Sequence, residues 1–146
     1  MKKTNNSGFS LVELIIVIAI MAVLIGVLAP QFIKYVESSR QSTDMQNVQE
    51  LKTAIETYVA ENGDSDVALP ASITITLSNT AATISDMPAA DLEEVGITAS
   101  TKLKSKGWSG SASYSTSSYK WTVSGLGKNS NKPQKDMSGI FTTAGE

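Results

Sequence analysis

The side chain whose chemistry fits its surroundings least is Glu13. It follows Gly8, Phe9, Ser10, Leu11 and Val12 and leads directly into LIIVIAIMAVLIGVLA over 14–29, sixteen positions without a polar side chain. A carboxylate at mid-membrane costs about 2.5–3.5 kcal/mol on the insertion scale, and less near one end of a span, so this residue needs a partner and a purpose. Elsewhere the chemistry-bearing residues are sparse. The chain has neither cysteine nor histidine, which removes disulfides, thiolate and imidazole metal sites, cysteine nucleophiles and every His-based triad. Asp64 and Asp66 open like a calcium loop, but the further oxygen ligands and the closing glutamate are missing, so a solvated loop is expected there. Glu93 and Glu94 are adjacent on a surface segment and do not converge as a hydrolase's paired acids would. No catalytic residue, metal or cofactor is expected. Phe9, Phe32, Tyr35 and Tyr58 place aromatics along one helix, where packing accounts for them.

The element that must carry Glu13 is apolar on every side, unlike an amphipathic core helix, and with Phe9, Leu11 and Val12 it approaches the ~20 residues that span a bilayer. Eleven of the sixteen residues are Leu, Ile or Val. Together they favour insertion by on the order of 3–7 kcal/mol. A cleaved secretory signal fits poorly, because the small-residue cut would fall after Ala29 and Pro30 would follow it. A plain anchor leaves Glu13 without a role. Lys2 and Lys3 on one side nearly balance Lys34 and Arg40 on the other, and the short N-terminus is expected to stay inside. The formal net charge is −2 with no basic stripe, so nucleic acid is not an expected partner.

Residues 8–13, GFSLVE, after a short polar leader with two lysines, resemble the N-terminus of type IV prepilins and pseudopilins. The likeness covers about residues 1–35, including Pro30, where the family often has a proline. It implies that a prepilin peptidase cuts after Gly8 and that Phe9 is then N-methylated, with Glu13 matching the family's glutamate at the fifth mature position. It also implies an assembly ATPase and a platform protein as partners, and a homopolymer with the helices bundled at its centre. The family commonly carries a disulfide near the C-terminus, which this chain cannot form.

The physics beside the resemblance is coherent. Cutting after Gly8 leaves a positive amine on Phe9, and Glu13 of a neighbouring subunit can pair with it. Two unit charges ~4 Å apart are worth roughly 4 kcal/mol at an effective dielectric of 20, comparable to the cost of burying Glu13. Within one helix the same amine is four residues away, about 6 Å along the axis, so an intramolecular pair competes. Gly26 and Pro30 weaken the helix, by about 1 and about 3 kcal/mol relative to alanine, and mark a candidate kink or point of unwinding.

Beyond Pro30 the helical pattern resumes and becomes amphipathic through Val48, Leu51, Ile55, Tyr58 and Val59, with Asn62-Gly63 as a stop. Glu37, Arg40 and Asp44, and Lys52 and Glu56, stand at three- and four-residue intervals and are expected to mark a solvated face. Ile73, Ile75 and Leu77 alternate with hydroxyl residues as a strand. A short helix is expected over 87–95. A hairpin is expected from 108–116 and 119–124 with Tyr119, Trp121 and Val123 on one face, then loop from Gly125. The resulting organisation is a leader over 1–8, a transmembrane and polymerisation helix over 9–30, its amphipathic half over 31–62, and a mostly-β head over 63–146. The fold class is α+β, half a helix laid on three or four antiparallel strands. Of the 84 residues from 63 onward 25 are Ser or Thr, so the head is marginal alone and the apolar face of the helix is expected to pack against its sheet. The expected function is a pilus subunit. The alternatives are a pseudopilin of a secretion or DNA-uptake machine and, from another class, a monomeric membrane-anchored binding protein.

Overall fold

A computed structural model describes residues 8–64 and 68–142. Lys2 and Lys3 of the leader, and Asp66 of the acidic pair, lie outside the described residues. The backbone clusters into two units, Met1–Tyr35 and Val36–Glu146.

The first unit is helical because nothing in it competes with the helix: long aliphatic side chains follow one another without a turn signal until Gly26. Helix α1 spans Leu11–Asn62 and contains Pro30 without interruption. Leucines, isoleucines and valines from Leu11 to Leu28 are each more than half exposed, as lipid-facing or partner-facing residues must be in a single chain.

In the second unit the C-terminal half of α1 buries Val48, Leu51, Ile55, Tyr58 and Val59, the face its periodicity marks. That face lies on a five-stranded antiparallel sheet of order β3-β2-β1-β4-β5, built from β1 (Ser72–Leu77), β2 (Ala81–Ser85), β3 (Ser100–Lys102), β4 (Gly110–Ser115) and β5 (Lys120–Ser124). Alternation decides the register: Ile73, Ile75 and Leu77 of β1, Ala82 and Ile84 of β2, and Ala112 and Tyr114 of β4 all point into the core. The opposite face carries hydroxyls in ranks, Ser85, Thr74, Ser113 and Thr122 lying across β2, β1, β4 and β5. The abundant Ser and Thr are thus the solvated side of the sheet, where Thr is a good strand former.

The short helix α2 (Ala89–Glu94) ends where Gly96 takes φ +72°, close to the expected stop. Three expectations need correction. Two strands, β2 and β3, were not anticipated and extend the sheet beyond four strands: β2 holds only Ala82 and Ile84 inward, and β3 is three residues long, too short for a period to show. Tyr119 does not join Trp121 and Val123 on a strand face; it sits in the hairpin turn at φ +55°, 58% exposed. The segment after Gly125 is not mere loop. Leu126, Met137 and Phe141 are buried, and α3 (Ser138–Phe141) sets Phe141 tilted against Trp121 at 4.8 Å between ring centres, with Tyr114 5.0 Å from the same ring. Aromatic contacts of this kind add about 0.5–1.5 kcal/mol beyond area.

The expectation of a solvated face at Glu37, Arg40 and Asp44 is overturned for Asp44. Its carboxylate is fully buried, accepting the backbone amides of Lys104 (2.7 Å) and Ser105 (2.8 Å) and the Trp108 indole N–H (3.0 Å). One turn earlier, buried Gln41 accepts the Lys135 amide at 3.0 Å and donates to the Asn131 carbonyl at 3.2 Å. Glu37 accepts from the buried Ser105 hydroxyl, to which Asn129 also donates. These side chains replace an apolar face at the lower end of the head's helix with a polar clamp on the 103–108 and 129–135 loops. Burial without loss follows because every lone pair used meets a donor that would otherwise be orphaned. Lys52 and Glu56 pair at 3.6 Å on a partly buried face, not the solvated one expected, because Glu56 also accepts the Trp121 indole N–H at 2.8 Å.

At the other end Tyr58 donates its hydroxyl to Asp91 at 2.5 Å, tying α1 to α2. Burial, then that hydrogen bond and the charges of Asp91 and Glu94, push the phenol up to about 12. A folded pKa above the unfolded value of about 10 means that the contribution is complete below pH 10 and is lost as pH rises from about 10 to about 12. In denaturant titrations between pH 9 and 12, wild-type stability should therefore fall more steeply than that of Tyr58→Phe. Parallel curves would remove Tyr58 as the source, leaving Tyr114, which burial shifts the same way.

Candidate processing and assembly site

Gly8, Phe9 and Ser10 precede α1 in non-helical backbone. A Cβ placed on Gly8 would meet nothing within 4 Å, and the Phe9 side chain is 93% exposed. The Gly8–Phe9 peptide bond is therefore exposed among the described residues.

The helix begins at Ser10 by a device that the sequence analysis did not draw on. The Ser10 hydroxyl accepts the Val12 amide at 3.4 Å, while Glu13 reaches back to accept the Ser10 amide at 2.9 Å. This is the reciprocal cap of the S-x-x-E pattern, which satisfies donors that the first turn leaves free. The pattern Ser10-Leu11-Val12-Glu13 was the available signal. Glu13 thus has an intrachain partner one residue from Phe9. It also places a negative group in the first turn, where the helix dipole favours it.

The structure brings Gly8, Phe9 and Glu13 together at the start of α1, while Gly26 and Pro30 lie further along the same helix and share no contact with them in the described residues. Among the described residues α1 otherwise offers apolar side chains at this end, and it is long and apolar enough to cross a membrane. Among the described residues no group of three or more acidic side chains is arranged to hold a metal ion.

The site is thus an apolar helix of membrane length that opens on an exposed glycine and a glutamate, in a chain that also carries a small α+β head. Residues 3–29 match the family model described as the prokaryotic N-terminal methylation motif. The chain is 36% identical over 78 residues to prepilin peptidase-dependent protein A of Clostridium perfringens, covering 53% of this chain and 54% of that protein. It is 39% identical over 59 residues to a type IV major fimbrial protein FimA of Dichelobacter nodosus, covering 40% and 38%, and 41% identical over 57 residues to the type IV major pilin protein PilA of Myxococcus xanthus, covering 39% and 26%. The chain thus spans about half or less of the length of these relatives. No solved structure matches it. Through its N-terminal segment the chain is similar to type IV pilins.

Proposed function

We propose that this chain is the precursor of a structural subunit of a type IV pilus, held in the cytoplasmic membrane by one span, cut after Gly8, N-methylated on Phe9 and polymerised through residues 9–30. The observation that carries the reading is an open Gly8–Phe9 bond at the mouth of a helix whose apolar side chains are exposed along its whole first half. Such a surface must be covered by lipid before assembly and by other copies afterwards. After cutting, the new amine sits one residue before the backbone N–H that Glu13 already holds. The carboxylate can then serve its own amine or that of the next copy, and a pair between copies fixes their axial offset. Gly26 and Pro30 are the points where the helix yields on leaving the membrane. A prepilin peptidase, an assembly ATPase and a platform protein complete the machinery, and the names of the major fimbrial and major pilin relatives support a pilin over a pseudopilin.

Replacing the glycine tests the processing step. Gly8→Ala should slow cutting, and Gly8→Leu should abolish it, leaving full-length chain in the membrane and no sheared filament. Normal trimming of the leucine variant, followed by mass spectrometry of the membrane fraction, would contradict cutting at this bond. The rival reading, an anchored monomer, predicts that shear of intact cells releases nothing.

A further inference from the structure

The charges of the head are sorted by end. At the end where the helix enters, Lys104 and Lys106 lie in the loop clamped by Asp44. Lys128, Lys132 and Lys135 lie in the loops clamped by Gln41 and Asn131, and Lys102 closes β3 beside the β1–β2 turn. All but Lys135 are exposed. The carboxylates at that end are already engaged: Asp44 is buried, Glu37 is bonded to Ser105, and Asp136 is held by Ser138 at 2.8 and 2.6 Å with Lys128 beside it. At the far end, Glu61 and Asp64 close α1, Asp86 follows β2, and Glu93 and Glu94 are exposed on α2 next to Asp91, the partner of Tyr58. Lys120, at the β4–β5 turn, is the cation of that end among the described residues. From Asp44 to Tyr58 the helix rises about 21 Å. This exceeds twice the ~8–10 Å screening length of physiological salt, so the two ends of one head do not neutralise each other.

We propose that these poles are the two halves of one contact between copies: the Lys-rich end of one head seats on the acidic α1–α2 end of the next. The partner is a second copy of this chain because both complementary surfaces are on it, at opposite ends. Two different patches at opposite ends make a heterologous contact, which extends as an open filament where its rotation does not close into a ring. Opposed potentials steer such a contact and reject the two like-pole approaches. The inference rests on the filament reading above, but concerns the heads and not the N-terminal helix.

Exchange of charge tests it in the full chain. Lys104→Glu with Lys106→Glu reverses one pole and Glu93→Lys with Glu94→Lys the other, all four at exposed side chains. Each pair should lower sheared filament by about tenfold or more with the membrane precursor unchanged, and all four together should restore it to within about threefold of wild type. Wild-type filaments with either reversal harmless, or with no recovery in the fourfold exchange, overturn the pole contact. Loss with the lysine pair alone assigns the basic end to another anionic partner and equally overturns it. If the wild-type chain itself sheds no filament, the filament reading fails, and the pole contact with it.

Discussion

Asp44→Ala should cost the head about 3–5 kcal/mol and lower its melting temperature by on the order of 15–30 °C. The reason is local and countable. Three donors converge on one buried carboxylate, two of them backbone amides of the 104–105 loop and one the indole of Trp108, itself 2% exposed. Alanine leaves all three without an acceptor in a place too tight for solvent, and each unsatisfied donor costs about 1–3 kcal/mol. A head of this size, with a sheet face made of hydroxyls, has a total of only about 5–15 kcal/mol. Asp44→Asn keeps one carbonyl oxygen for the pair of donors on one side and should lose about half as much. Thermal unfolding of the purified chain, followed through the near-ultraviolet signal of its tryptophans, measures both. An alanine variant within about 1 kcal/mol of wild type would show that the loop is held by something else.

Glu13→Ala should leave processing nearly intact and reduce filament yield by about tenfold or more. Loss of the cap alone costs about 0.5–2 kcal/mol at one end of a long helix. It cannot detach the chain from the membrane, because the aliphatic residues favour insertion by on the order of 3–7 kcal/mol and removal of a carboxylate makes burial easier. A fall in filament yield would therefore come from the lost charge, worth roughly 4 kcal/mol when paired with an amine at ~4 Å. Glu13→Gln separates the two roles, since glutamine keeps the acceptor that the Ser10 amide uses but has no charge. If charge pairing drives assembly, glutamine fails as alanine does. If the cap is what matters, glutamine rescues. Unchanged filament yield from both variants would contradict any assembly role for Glu13.

How far these features could be read in the sequence follows from how much of each is periodic. The apolar run from Leu14 onward, the helical face of Val48 to Val59 and the alternation of Ile73, Ile75 and Leu77 are local patterns, and each forms the element that its period demands. The GFSLVE segment carries its information in adjacent residues, and Gly8, Phe9 and Glu13 lie at the start of α1. Asp44 was misread because its role depends on partners 60 or more positions away, while its spacing to Glu37 and Arg40 is that of an ordinary surface pair. The burial of Met137 and Phe141 was hidden for the same reason: isolated apolar residues among Asn, Lys, Gly and Ser have no period, and the tilted contact with Trp121 exists only once β5 is in place. Ser10 is a different case, because its S-x-x-E signal was adjacent and legible, but the charge of Glu13 drew the interpretation toward pairing between copies.

A pilus subunit of this kind must be cut after Gly8 and leave the membrane as filament. Intact mass and N-terminal analysis of protein sheared from cells expressing the full chain tests it most directly. The account predicts material beginning at N-methylated Phe9. Full-length chain confined to the membrane fraction, with nothing released by shear, would contradict it.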